Sequence, residues 1–215
     1  MGATTARCVF VPGLGLDARS SARLRALVPG TVVHLPGMGL RETVPSVTGL
    51  ARRLSAHLPE APVVLIGHSQ SCQVVVATAQ SDPRVRGVVL LGPTTDPALR
   101  SAPVLTARWV ATALREPARV VPSVLAQWAR TGPRAMAALW RSAAPDRIDH
   151  RLRSVHGPVV VVRGARDALC PHDWAAAVAA AARGGRLVEI PGAAHLTVQT
   201  HPREVAAVLR DVVSG

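Results

Sequence analysis

The sequence predicts an α/β protein: a mostly parallel open sheet of about six strands, helices on both faces, and a helical lid inserted after the fourth strand. Three observations lead there. Short runs rich in Val, Ile and Leu recur along the chain, and they are continuous rather than alternating, as strands buried on both faces are. The stretches between them carry the 3.6-residue apolar period of amphipathic helices. One interval, Gly92 to Gly157, interrupts this rhythm and contains no strand-like run.

The predicted strands are Cys8–Val11, Thr31–Leu35, Pro62–Ile66, Gly87–Leu91, Pro158–Val162 and Arg186–Ile190. Ser46 is placed to cap a helix whose apolar face is Val47, Leu50, Ala51, Leu54 and Leu58. Ser71–Gln80 continues directly from the third strand as a helix. Asp173 is the expected cap of a helix over Trp174–Ala182, which stops before Gly184-Gly185. Pro202 opens a final helix with Val205, Val208, Leu209 and Val212 on one face. Residues 92–157 are too long for one crossover helix and read as two to four helices, broken near Pro103, Pro117, Pro122 and Pro133. The expected organisation is one domain over residues 1–215, with a core of 1–95 and 156–215 and a lid of 96–155.

Composition removes several classes. The 215 residues are 48% hydrophobic and 18% charged, which excludes a disordered chain. No apolar run reaches the roughly 18 residues of a membrane span, and the N-terminus has neither a secretion-signal layout nor a myristoylation pattern. The expectation is a cytoplasmic protein with no membrane partner. The formal charge is +12, yet every basic residue is Arg, and aromatics make up only 2%. That pattern matches a compositional preference for Arg, and it leaves no stacking platform for nucleic acid. Cys8, Cys72 and Cys170 form no disulfide framework. Cys170-Pro171-His172 has no second cluster to complete a metal site, so no metal and no cofactor are expected.

The chemistry concentrates at strand ends. The third strand runs into Gly67-His68-Ser69-Gln70-Ser71, which places Ser69 on a sharp strand-to-helix turn with its hydroxyl at the carboxyl edge of the sheet. A serine needs a base, and the base an orienting acid. Asp167 follows the fifth strand and His195 the sixth, both on that same edge. An oxyanion also needs donors: the N–H of Gln70 is one, and the Gly-rich turn Pro12-Gly13-Leu14-Gly15 offers that of Leu14. His68 is expected to point away from the cleft.

These four motifs, at the right strand ends and in the order Ser, Asp, His, resemble the α/β-hydrolase superfamily over nearly the whole length, and within it a small lidded serine esterase. By that resemblance Ser69 is the nucleophile, His195 the base and Asp167 the acid, with Leu14 and Gln70 forming the oxyanion hole. Asp96, after the fourth strand, is an alternative acid. Three departures stand out. Ser71 replaces the last glycine of the usual G-x-S-x-G elbow, Pro12-Gly13 replaces a common His-Gly, and the chain opens at what resembles the family's third strand, leaving a six-stranded minimal core. The resemblance implies cleavage of a carboxylic ester or thioester of a medium-sized apolar substrate through an acyl-enzyme. It also leaves open Ser–His elimination or lyase chemistry on polyketide-type natural products. A non-enzymatic basic binding module is a third reading. Ser69 at the elbow argues against relatives that use Asp there.

Trp109, Trp128 and Trp140 fall on apolar helical faces of the lid, where they either pack it to the core or contact substrate. Between residues 98 and 155 ten arginines face only Glu116, Asp146 and Asp149. That face is either simply solvated or matched to an acidic partner, such as an acyl carrier protein or a phosphate-bearing thioester.

Overall fold

The computed structural model describes residues 6–214. Strands β1 (Arg7–Val11), β2 (Gly30–Val32), β3 (Val63–His68), β4 (Val85–Leu91), β5 (Val159–Gly164) and β6 (Arg186–Ile190) form one sheet in the order β2-β1-β3-β4-β5-β6. Every neighbouring pair is parallel. The chain moves outward from β1 to β2, then returns across β1 to lay down β3 to β6. The carboxyl ends of β1 and β3 therefore flank the point where the winding reverses, and a crevice opens there in sheets of this type.

Alternation of side chains along each strand explains the continuous apolar runs. Val9, Val11, Leu65, Val88, Leu90, Val159 and Val161 face one side. There they meet Leu50 and Leu54 of α1 (Val47–Ala56), Val74 to Val76 of α2 (Ser71–Ala79) and Val178 of the helix His172–Ala181. Phe10, Val64, Ile66, Val89, Leu91, Val160 and Val162 face the other side and meet Leu24 together with Val205 and Leu209 of the helix Pro202–Ser214. Both faces are covered, so neither set of alternating residues is polar. Emptying one such position, as in Leu65→Ala, removes roughly 2–5 kcal/mol of stability.

Two local expectations are corrected. The second strand ends at Val32 rather than reaching Leu35. Pro36 has no amide hydrogen to extend a ladder, and the Leu35 amide turns back to Met38 O at 3.0 Å, closing a tight turn instead. Asp173 lies inside the first turn of the helix His172–Ala181, whose cap position is Pro171. Ser46 does cap α1, accepting from the Gly49 amide at 3.2 Å.

Between β4 and β5 lie four helices: α3 (Ala102–Ala113), α4 (Val121–Thr131), α5 (Pro133–Ala143) and α6 (Ile148–Leu152). Pro103, Pro122 and Pro133 each sit in a first turn, where a missing amide hydrogen is harmless. The segment is tied to the sheet. Leu139, Ile148 and Leu152 are fully buried in the core. Thr131 Oγ1 donates to Gly15 O at 2.9 Å, and Gln127 Oε1 accepts from the Asp17 amide at 2.9 Å. Among the described residues no helix is long and apolar enough to cross a membrane.

Candidate active site

Ser69 directly follows β3 and precedes α2, and its φ of 56° is the one positive value of a non-glycine residue among those described. L-residues enter this region at a cost, and such strain gathers at functional sites. The turn is held from three sides. The Ser69 amide donates to Leu91 O at the end of β4, at 2.8 Å. The Ser71 hydroxyl lies 2.8 Å from Val11 O and 2.9 Å from His68 O, and it accepts from the His68 amide at 2.7 Å. The side chain that replaces the usual glycine thus fastens the ends of β1 and β3 together. Gly13 packs against the turn so closely that a Cβ there would lie 2.7 Å from His68 Nδ1 and 3.2 Å from Ser69 Cβ. This brings the loop carrying the Leu14 amide up to the serine.

Asp167 and His195 meet behind the same edge. Asp167 Oδ2 is 2.7 Å from His195 Nδ1, and Oδ1 accepts from the Leu169 and Cys170 amides at 2.9 and 3.1 Å. The carboxylate side chain is fully buried. The loops that carry the two residues are laced together, with Ala165 N donating to Ile190 O at 3.0 Å and Arg166 N to Ala193 O at 2.9 Å. Arg163, buried at the end of β5, donates to Cys170 O at 2.7 Å and Asp167 O at 3.1 Å and pairs with Glu189. Gly92, just past β4, closes the slot from behind. A Cβ there would lie 3.1 Å from His195 Nδ1 and 3.2 Å from Asp167 Oδ2. Asp96, the alternative acid, turns elsewhere: it caps the turn at Ala98 at 2.9 Å and pairs with Arg108.

The environment sets the imidazoles apart. Burial alone lowers the pKa of His195, but the charge and hydrogen bond of Asp167, with the charge of Glu116, outweigh it, so the net displacement is upward. His68 is pushed down to about 3 by burial and by the neighbouring His195. Contrary to expectation its ring does not turn away. It lies 5.1 Å from the His195 ring, and its Nε2–H donates to His195 O at 3.2 Å. His68 is the last residue of β3, paired in register with Leu91, and from there its ring lines the cavity beside His195.

Ser69, His195, Leu14 and Gln70 all line one cavity of about 650 Å³. Its walls are largely apolar, and Trp109, Trp128 and Trp140 contribute to them along with Leu105, Val124 and Met136. The Trp109 and Trp128 rings are 5.9 Å apart, centroid to centroid. Among the described residues the Leu14 and Gln70 amides have no protein acceptor. Ser69 Oγ has one partner, Thr94 Oγ1 at 3.4 Å. No bond yet joins it to His195, and such contacts commonly tighten only with substrate.

Sequence reasoning missed three contributors: Thr94, Gly92 and Glu116. Glu116, on the segment after α3, accepts from the Leu196 amide at 2.6 Å and lines the cavity. Nothing in local spacing marks a contact across 80 residues. Cys170 is buried, His172 pairs with Glu189, and no metal-binding cluster occurs among the described residues.

A parallel sheet with a strained serine after its third strand and an Asp–His pair beyond its fifth and sixth has the layout of an α/β hydrolase. The chain belongs to the alpha/beta hydrolase family, whose sequence profile matches residues 8–208. Its fold is similar to that of a thermophilic esterase, with a TM-score of 0.81 at 19% identity, covering 97% of this chain and 89% of that one. A hydrolase from Oleispira antarctica gives a TM-score of 0.81 at 14% identity, covering 100% and 93%. A bromoperoxidase from Bacillus anthracis gives 0.77 at 17% identity, covering 99% and 93%. No curated protein sequence matches.

Proposed function

We propose that this hydrolase cleaves a carboxylic ester or thioester through an acyl-enzyme on Ser69. His195 takes the Ser69 proton as the oxygen attacks the carbonyl carbon. The oxyanion is held by the Leu14 and Gln70 amides. Collapse breaks the bond to the leaving group, which takes the proton from His195. Water, deprotonated by His195, then releases the acid and frees the serine. Asp167 fixes the Nδ1–H tautomer and stabilises the imidazolium.

The observation that carries this reading is the strained Ser69 sharing a cavity with His195, whose far nitrogen is already engaged by a buried carboxylate. The apolar walls favour a medium-sized apolar acyl or alcohol group, with helices α3–α5 as the lid over it and Trp109, Trp128 and Trp140 touching the substrate. The esterase among the similar folds agrees with this direction.

The test is labelling with a fluorophosphonate, read by intact mass and peptide mapping, on wild type and His195→Ala. One adduct on Ser69 that is lost in the variant is the expected result. A folded wild-type protein that takes no label would rule the acyl-enzyme out. With a substrate found, turnover in ¹⁸O-water separates hydrolysis, which puts solvent oxygen into the acid product, from elimination, which does not.

A further inference from the structure

Both loops that carry the Asp167–His195 pair are held from one short stretch at the end of α3. Thr112 Oγ1, on its last turn, accepts from the Ala168 amide at 3.1 Å and the Leu169 amide at 3.2 Å. Arg115 NH1 donates to Arg166 O at 3.1 Å. Glu116 Oε1 accepts from the Leu196 amide at 2.6 Å. Residues 112–116 therefore grip the backbone on either side of Asp167 and immediately after His195. Thr112 is 3% exposed, so its hydroxyl is shielded from water, whereas the Arg115 contact is exposed.

Glu116 has a second feature. Its Oε2 is buried and has no hydrogen-bond partner. A buried carboxylate oxygen left unpaired is costly unless charge or a ligand compensates it. The titratable groups facing it are His195 and Asp167 on the two loops, with His68 against the His195 ring. The Arg115 guanidinium is spent on the Arg166 carbonyl, and Arg141 of α5 lines the cavity. The compensating group beside it is His195, once that imidazole carries a proton.

We propose that Glu116 is a positioning residue that supplies a second negative charge to His195, so that docking of the helical segment and the basicity of His195 are linked. Asp167 alone shares its charge with two amide donors. A second carboxylate strengthens the imidazolium that forms when Ser69 gives up its proton. Burial pushes the Glu116 carboxyl up, and the net displacement stays upward although the Leu196 amide and the His195 charge oppose it. The two groups thus favour each other's charged forms. This inference rests on the acyl-enzyme reading above, and its test separates the two.

The experiment is the rate of fluorophosphonate labelling of Ser69 over roughly pH 5–9, for wild type, Glu116→Gln and Glu116→Ala. Gln keeps an oxygen for the Leu196 amide but removes the charge. Its acid limb moves to lower pH, because a less stabilised imidazolium loses its proton sooner, and its plateau falls several-fold as the base weakens. Ala loses the tether as well, and its plateau falls on the order of 100-fold. A role confined to holding the loop would leave the Gln profile on top of that of wild type, and that result overturns the proposal while leaving the acyl-enzyme intact. A wild-type Ser69 that does not label, or labels equally without His195, would sink both. Should the Ala variant fail to fold, the Gln comparison still decides.

Discussion

The Ser71 hydroxyl bridges two strands: its oxygen lies 2.8 Å from Val11 O at the end of β1 and 2.9 Å from His68 O at the end of β3, and it accepts from the His68 amide. All three partner atoms belong to the two strands that flank the cleft. Ser71→Ala removes the acceptor of the His68 amide and the donor shared by the two carbonyls at a buried junction, which costs about 1–3 kcal/mol. Chemical denaturation of the two proteins measures this. Equal midpoints would show that the hydroxyl contributes nothing.

Ser69 stores strain of a different kind. At φ 56° an alanine pays the same steric penalty as serine, whereas glycine does not. Ser69→Gly is therefore expected to be more stable than Ser69→Ala by about 1 kcal/mol, although neither retains the hydroxyl. Thermal unfolding of this pair isolates the backbone term, since both lack the hydroxyl. An Ala variant as stable as the Gly variant would mean the turn relaxes when the side chain shrinks.

Two aspartates compete for the role of acid, and their surroundings differ. Asp167→Asn keeps the shape but favours the wrong imidazole tautomer, so labelling or turnover is expected to fall on the order of 10⁴-fold. Asp96→Asn weakens a turn and an ion pair to Arg108 and leaves the rate within a few-fold. The reverse ranking of the two variants would move the acid to Asp96.

Acid sensitivity follows from His68. Its folded pKa is about 3 against an ordinary 6.5. Between those values the unfolded chain holds a proton that the native protein refuses. Stability is therefore full above about 6.5 and declines as pH falls, by about 1.4 kcal/mol per pH unit from this group. His195 acts in the opposite sense and in another window. Its raised folded pKa stabilises below 6.5, and the benefit is lost as pH rises through the folded value. Unfolding free energies measured from roughly pH 4 to 6.5 should show a flatter slope in His68→Gln than in wild type. Parallel slopes would contradict a neutral buried His68.

Much of this arrangement was legible in the residues themselves. The stretches 63–66, 87–91 and 159–162 are apolar without interruption because both faces of the central sheet are covered. Strand ends then locate Ser69, Asp167 and His195. What stayed hidden depends on tertiary reach or on a break in periodicity. The run Thr31–Leu35 looks continuous, yet the turn that follows pulls Leu35 out of the sheet. His68 keeps its place in the ladder opposite Leu91, and only the folding of the sixth strand's loop beside it brings its ring to His195. Glu116 reads as one of three acids on a basic segment, and only the folding of α3 over two distant loops gives it a partner.

Gly92 carries a consequence of its own. The slot that holds Asp167 and His195 is bounded there by backbone alone, with φ at 58°, which a side chain strains, and a methyl group would sit 3.1 Å from His195 Nδ1 and 3.2 Å from Asp167 Oδ2. Its working part is an empty volume. A Gly92→Ala change adds no charge and removes no donor, yet it would strain the backbone and crowd two side chains that meet at 2.7 Å. The Asp167–His195 contact is therefore sensitive to a single carbon added at a residue that bonds to neither side chain.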